Sequence, residues 1–329
     1  MAATARAKLG PSSTRHSHAL RGYCLIAGAG LCWGISATLG RAIFTGRLLA
    51  GAVHPINPII LSQSRTTISL FVLMPALLMR RGTGVFRMPW RDFAACLALG
   101  VLGMAVSNYF YYLAIQRTNV ATAITLQYTA PILVLFYMLA RGLQRATWRR
   151  VGSVFLAVFG IAVAIGVGGR GRIRIDTLGV VAAEIAAVSF AYYNIAGSSL
   201  LGRYDRWRVL LITLLGASLF WQCVNPPWRF GALHYGRHEW MFLACFAVVS
   251  MLLPFSLYIG GLQYLDPTRA IVTSCLEPVF TIAIAALALG EGITLLRTAG
   301  IAVVLTATIL VQLPEGAKPE PLVVLDPIE

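Results

Sequence analysis

The sequence predicts an all-α integral membrane protein with ten transmembrane helices in two inverted-topology five-helix repeats. Three observations carry that expectation. The chain of 329 residues is 58% hydrophobic and only 12% charged, with a mean hydropathy of +0.75. A soluble domain carries about 25% charged residues. Apolar runs of membrane length follow one another with little chain between them, which leaves no room for a soluble catalytic domain. Finally, one stretch is written twice. Residues 110–131 (FYYLAIQRTNVATAITLQYTAP) and 257–278 (LYIGGLQYLDPTRAIVTSCLEP) match at a constant offset of 147, pairing Tyr111 with Tyr258, Gln116 with Gln263, Ile124 with Ile271 and Pro131 with Pro278. Upstream, Val101 pairs with Val248 and Met104 with Met251. Each residue lies five spans from its echo, so the second copy enters the membrane upside down, as in transporters whose site sits between inverted repeats near the midplane.

The spans justify themselves in order. Residues 1–21 are basic and contain no acid, and the first span, about 22–44, follows them. The pair superficially resembles a signal peptide, but the run is too long for an h-region and nine further spans follow, so it reads as an uncleaved span. Within it, Gly28-Ala-Gly30-Leu-Cys-Trp33-Gly34 imitates a dinucleotide fingerprint with the wrong spacing and no preceding strand. Gly30-xxx-Gly34 instead lets another helix approach closely. The second span, about 57–79, contains Arg65. The third, about 92–114, carries Asn108, Tyr111 and Tyr112, and the fourth, about 119–140, carries Gln127, Tyr128 and Pro131.

The fifth span runs over about 150–168. The sixth, about 178–200, holds Glu184, Tyr192, Tyr193 and Asn194, and the seventh, about 208–225, is the shortest. Before the eighth span, about 239–262 with Tyr258, His234 and His238 are spaced like a metal-binding pair. They sit beside Trp240, which favours an interfacial loop over a metal site. The ninth span, about 268–289, contains Glu277-Pro278, and the tenth covers about 294–313. The repeats thus occupy 22–168 and 178–313, and the Pro-rich acidic tail 314–329 reads as disordered.

A net charge of +15 would suggest nucleic-acid binding in a soluble protein. Here its distribution gives another answer. With a cytoplasmic N-terminus, seventeen Lys and Arg fall on inner segments and nine on outer ones, with Arg65 inside a span. That bias follows the positive-inside rule and puts both termini in the cytoplasm of a multi-pass cell-membrane protein, with no nucleic-acid partner. The six cysteines lie in or at spans without a CxxC pair and read as small packing residues. No Walker A motif or nucleophile constellation is present, so the sequence calls for no ATP hydrolysis, cofactor or metal.

Polar residues within the spans carry the functional expectation. A charge in the hydrocarbon costs about 2.5–3.5 kcal/mol even on the lenient insertion scale. Three such residues stand out: Arg65, Glu184 and Glu277, with Glu277 close to the midplane. Glu184 lies near the outer end of its span and can also reach the interface. Pro131 and Pro278 each remove a backbone donor, freeing the carbonyls of Gln127 and Ser274 at matched depths from opposite sides. Freed backbone groups persist in a membrane only where protein or a watery cavity satisfies them. The candidate pathway residues are Trp33, Arg65, Asn108, Tyr111, Tyr112, Gln127, Tyr192, Asn194, Tyr258 and Glu277. For each uncharged one, interhelical hydrogen bonding is the alternative role. Hydroxyls and amides with few charges suit a small polar or zwitterionic solute.

Several motifs resemble the drug/metabolite transporter superfamily, specifically its EamA-type members. Leu276-Glu277-Pro278-Val279-Phe280 running to Leu289-Gly290-Glu291 resembles the family's proline-bearing helix and its Gly-Glu turn. Leu31-Cys-Trp33-Gly34 resembles the Trp-Gly of its first helix, and Arg65 stands where members often carry an arginine. Leu99-Gly100-Val101-Leu102-Gly103 with Tyr111, Ala114 and Ile115 resembles the third helix, and 179–193 the sixth. The resemblance spans about 20–313. Two positions depart from it: Gln144 replaces the acidic residue of the Gly-Glu turn in the first repeat, and Glu184 falls where the pattern is usually apolar.

The resemblance implies secondary transport of amino acids or related metabolites, commonly export. The expected machine is an ion-coupled or exchange-driven carrier with its cavity between helices 1, 3, 4, 6, 8 and 9. Glu277 would recognise charge or couple a proton, and Arg65 would be its electrostatic partner or a gate. Helices 5 and 10 would lie at the periphery or form a dimer contact, leaving monomer and homodimer both open. The partners are then a small-molecule solute, a coupling proton and the lipid bilayer. Nucleotide-sugar, carboxylate and drug carriage remain alternatives, as do a membrane-embedded enzyme on lipid-linked substrates and a non-transporting sensor or scaffold.

Overall fold

Among the described residues every regular element is helical, with no strand. The computed structural model describes residues 11–44, 58–118, 120–165, 176–231, 236–289 and 294–313. The tail, His234 and the Gly290-Glu291 turn lie outside them, as do the side chains of Gln116 and His238. Among the described residues, ten long helices make up the bundle: α1 Pro11–Phe44, α2 Pro58–Arg81, α3 90–117, α4 120–140, α5 Trp148–Ile165, α6 Thr177–Leu201, α7 Arg206–Val224, α8 237–262, α9 267–289 and α10 Leu295–Gln312, with short helical turns at Gly82–Phe86 and Trp228–Gly231. Among the described residues, nine stretches are long and apolar enough to cross a membrane; α4 supplies only a shorter apolar helix, Ala130–Ala140.

The fourth span therefore departs from expectation: it is two helices, Val120–Gln127 and Ala130–Ala140, separated by a turn at Tyr128-Thr129. Pro131 is the cause, since it sits in the first turn of the second piece and offers no N–H backward. The ninth span is divided at the matching place into Pro267–Ser274 and Leu276–Leu289. The first pieces end at Gln127 and Ser274, the residues whose carbonyls the prolines release. The first span also begins earlier than its hydropathy suggests, because helix α1 continues back through the basic segment to Pro11.

A further correspondence was invisible in composition. Helix α3 passes through a π-helical segment at Leu99–Ala105, and α8 through one at Val248–Leu252. At the repeat offset of 147, both end at the same position. π turns insert a residue into the helix and concentrate at functional sites.

Packing follows the same exchange of partners. Helix α1 packs on α8 and α9 as α6 packs on α3 and α4; α2 packs on α8 as α7 does on α3; α2 meets α7, and α5 meets α10. The α5–α10 crossing is so close that a Cβ on Gly300 would lie 2.2 Å from the Ala164 nitrogen. Their outward faces carry exposed Phe155, Phe159 and Ile309, which suit lipid contact. Exposed Trp90 and Trp148 begin α3 and α5, where interfacial tryptophans belong.

Polar bonds tie the α2–α3 connection to the α6–α7 connection and the α4–α5 connection to the α8–α9 connection. The alternation of the helices puts these four at one end with the start of α1 and the end of α10. Arg81 pairs with Asp205 at 2.5 Å and Arg203 with Asp92 at 2.7 Å, while the Tyr204 hydroxyl also donates to Asp92. That bond and burial beside Asp92 hold the Tyr204 phenol above its ordinary pKa. Arg208 donates to the carbonyls of Arg87 and Gly84. We call this the terminal end of the bundle.

Candidate substrate site

The site is built where the broken helices face α1, α2 and α3. Glycines Gly30 and Gly34 on α1 bring its backbone against α9. A Cβ on Gly30 would lie 3.4 Å from the Glu277 nitrogen, and one on Gly34 would lie 3.0 Å from the Thr281 nitrogen. The small-residue stripe in the first span thus seats the turn that carries Glu277. Across the gap, the hydroxyl of Tyr128, at the break in α4, donates to Glu277 Oε2 at 3.0 Å. The neighbouring Thr129 hydroxyl lies 3.2 Å from Glu184 Oε2 and 2.7 Å from the Leu126 carbonyl. The α4 break therefore touches two carboxylates, and Glu184 turns inward to that break.

Arg65 occupies the facing wall and is only 8% exposed. Its Nη1 donates to the Tyr112 hydroxyl at 2.9 Å and its Nη2 to the Ser250 carbonyl at 2.8 Å. That carbonyl lies in the α8 π segment, and Pro254, four residues on, has no N–H to offer it. The guanidinium stacks on Phe246 at 5.5 Å, and its Nε has no hydrogen-bond partner. No ion pair joins Arg65 to Glu277, although the guanidinium lies within Coulombic reach of the carboxylate. Tyr111 extends the Arg65 side of the site: its ring centroid is 5.6 Å from that of Tyr112.

The other sequence candidates divide into two groups. Trp33 extends the aromatic wall, with its ring 5.3 Å from Phe255 and 5.5 Å from Tyr258. Half-buried Gln127 ends the first piece of α4, while Asn108 spends its amide on the Met104 carbonyl at 2.7 Å, within its own helix. Asn194 and Tyr258 are fully buried, and the Tyr258 hydroxyl donates to Asn194 Oδ1 at 2.6 Å. This bond ties α6 to α8. Tyr192 is half-buried against the core. Sequence reasoning did not assign Tyr128, Ser250 or Phe246 as partners of the two charges. The placement of Tyr128 beside a proline break was the one available signal.

Two broken helices, a carboxylate at the break of one of them and a buried arginine with no carboxylate partner among the described residues fit a membrane transporter. The chain belongs to the EamA-like transporter family, whose profile matches residues 20–166 and 177–313. It is similar to the inner membrane transporter YicL of Salmonella typhimurium, at 26% identity over 68% of this chain and 74% of that protein. It is also similar to the threonine/homoserine exporter RhtA of Escherichia coli, at 28% identity over 68% of this chain and 74% of that one. A solved crystal structure superposes with a TM-score of 0.68 over 89% of this chain and 96% of its own, and at 23% identity it speaks for the fold alone. The protein is a multi-pass transporter of a small-molecule solute.

Proposed function

We propose that this chain is a secondary carrier that exports amino acids or closely related metabolites from the cytoplasm by alternating access. It sits in the inner membrane with both termini inside. The observation that carries the reading is the pairing of Glu277 with Tyr128 across two proline-broken helices, one from each half of the chain. A carboxylate at that depth can exchange a proton or a cationic group with whichever side is open. The relationship to a threonine/homoserine exporter supports amino acids as the substrate class. Transport then proceeds by rocking α1, α8 and α9 against α3, α4 and α6 around the fixed site.

The test is flux of radiolabelled amino acids, amines and carboxylates into proteoliposomes holding the purified protein, with an imposed pH gradient. Amino-acid flux that follows the gradient is expected, and Glu277→Gln should abolish the pH dependence. Flux that never depends on pH would remove Glu277 from coupling. Movement of nucleotide sugars, carboxylates or drugs instead of amino acids would overturn the substrate class.

A further inference from the structure

We infer that Arg65 and Glu277 are the two poles of one solute subsite that takes an α-amino acid as its zwitterion, carboxylate on Arg65 and ammonium on Glu277. This deepens, and rests on, the reading of the chain as an amino-acid carrier.

The first ground is the state of Arg65. Its hydrogen-bond partners are a phenol and a backbone carbonyl, its stacking partner is a phenyl ring, and its Nε has none. No carboxylate of a described residue lies within ion-pairing distance. A buried cation with only neutral partners is an expensive arrangement in a bilayer. The Ser250 carbonyl and the Tyr112 hydroxyl nevertheless hold it in place. Such preorganisation has use when an anion arrives from outside the chain, and the planar fork of a guanidinium suits a carboxylate.

The second ground is that the two charges are kept apart. An arginine and a glutamate meant to neutralise each other close to a direct, often bidentate, contact. Here Tyr112 engages Arg65, Tyr128 engages Glu277, and no ion pair forms. A carboxylate has about four acceptor positions, and the one hydrogen bond from Tyr128 leaves room for a three-donor ammonium. A solute with a single charge meets one attractive and one repulsive pole. A zwitterion satisfies both, so the pair selects by charge pattern rather than by side chain. Tyr111, packed beside the Tyr112 that engages Arg65, supplies an amphipathic wall for the solute body.

The experiment uses the full chain in proteoliposomes with labelled threonine as probe. Its competitors are threonine amide, which lacks the carboxylate, and 2,3-dihydroxybutanoate, which has a hydroxyl for the ammonium. The wild-type protein is expected to prefer threonine over each analogue by at least about tenfold, the order of a charge-assisted contact. Glu277→Gln should erase the preference over the hydroxy acid and keep that over the amide. Arg65→Gln should do the reverse, and Arg65→Lys should retain part of the wild-type pattern. Equal competition by all three compounds in a protein that moves threonine would overturn the two-pole site and leave the amino-acid reading standing. So would loss of both preferences together in either variant. If the wild-type protein moves no amino acid, the amino-acid reading falls and this inference with it. Should Arg65→Gln fail to fold, the Glu277→Gln profile decides.

Discussion

Helices α4 and α9 are built alike and end differently. At the terminal end, Ala130–Ala140 of α4 packs against Pro267–Ser274 of α9, with Ala130, Val134, Met138 and Ile271 in one apolar cluster. Gln144 finishes the seal: its amide donates to Asp266 at 2.9 Å and its carbonyl accepts from Thr268 at 2.8 Å. The turn that delivers Gln144 depends on Gly142, whose φ of +64° closes α4 with the Leu143 amide bonded back to the Met138 carbonyl. Among the described residues, Val120–Gln127 and Leu276–Leu289 lack the mutual packing that their other halves have. Contacts of α6 with α8 and with Pro267–Ser274 likewise have no equally developed counterparts between α1, α3 and α4. Similarly built halves in unequal contact teach that the described helices close together at the terminal end and stand apart at the other.

The largest test of that difference is a pair of cross-links in a background freed of the six native cysteines. Val134→Cys with Ile271→Cys should cross-link in the resting protein, abolish flux on oxidation and recover with reductant. Ile124→Cys with Thr281→Cys, the same pair shifted by the repeat offset, should cross-link only when solute is supplied. Equal cross-linking of both pairs at rest would erase the asymmetry.

Next in size is Gln144→Glu, which sets a carboxylate against Asp266. Losing a hydrogen bond to a charged group costs about 1.5–3 kcal/mol. The balance should therefore move away from terminal-end closure by about tenfold or more, read as faster labelling of a cysteine at position 271 from that end. Asp266→Asn should do less, because an asparagine still caps α9 and still accepts from Gln144. Smallest is Arg81→Ala. That pair is 43% and 41% exposed, so its loss amounts to about 0.2–1 kcal/mol and should leave flux within about a factor of two.

The sequence disclosed whatever depends on one span or on identical spacing. Hydropathy marked the spans, the offset of 147 located both breaks through Pro131 and Pro278, and Gly30 and Gly34 marked a close helix contact. The departure at Gln144 was also visible, though its purpose was not, because Asp266 lies on another connection and repels a glutamate there. Partners across the bundle were beyond reach. Hydropathy does not record which face of one apolar helix meets which face of another, so Asn194 and Tyr258 read as cavity lining although they bond each other in the closed half. The π segments left no compositional mark, since one inserted residue changes geometry without changing residue type.

The short bond from Arg65 to the Ser250 carbonyl joins two distant positions into a single heritable unit. Replacing Pro254 adds an N–H one turn on that competes with the guanidinium for that carbonyl. Replacing Arg65 strands the carbonyl in a dry interior. Either change alone is a fault, while both together leave a consistent protein without the positive pole. A lineage that abandons this kind of solute should therefore shed the proline and the arginine as a pair.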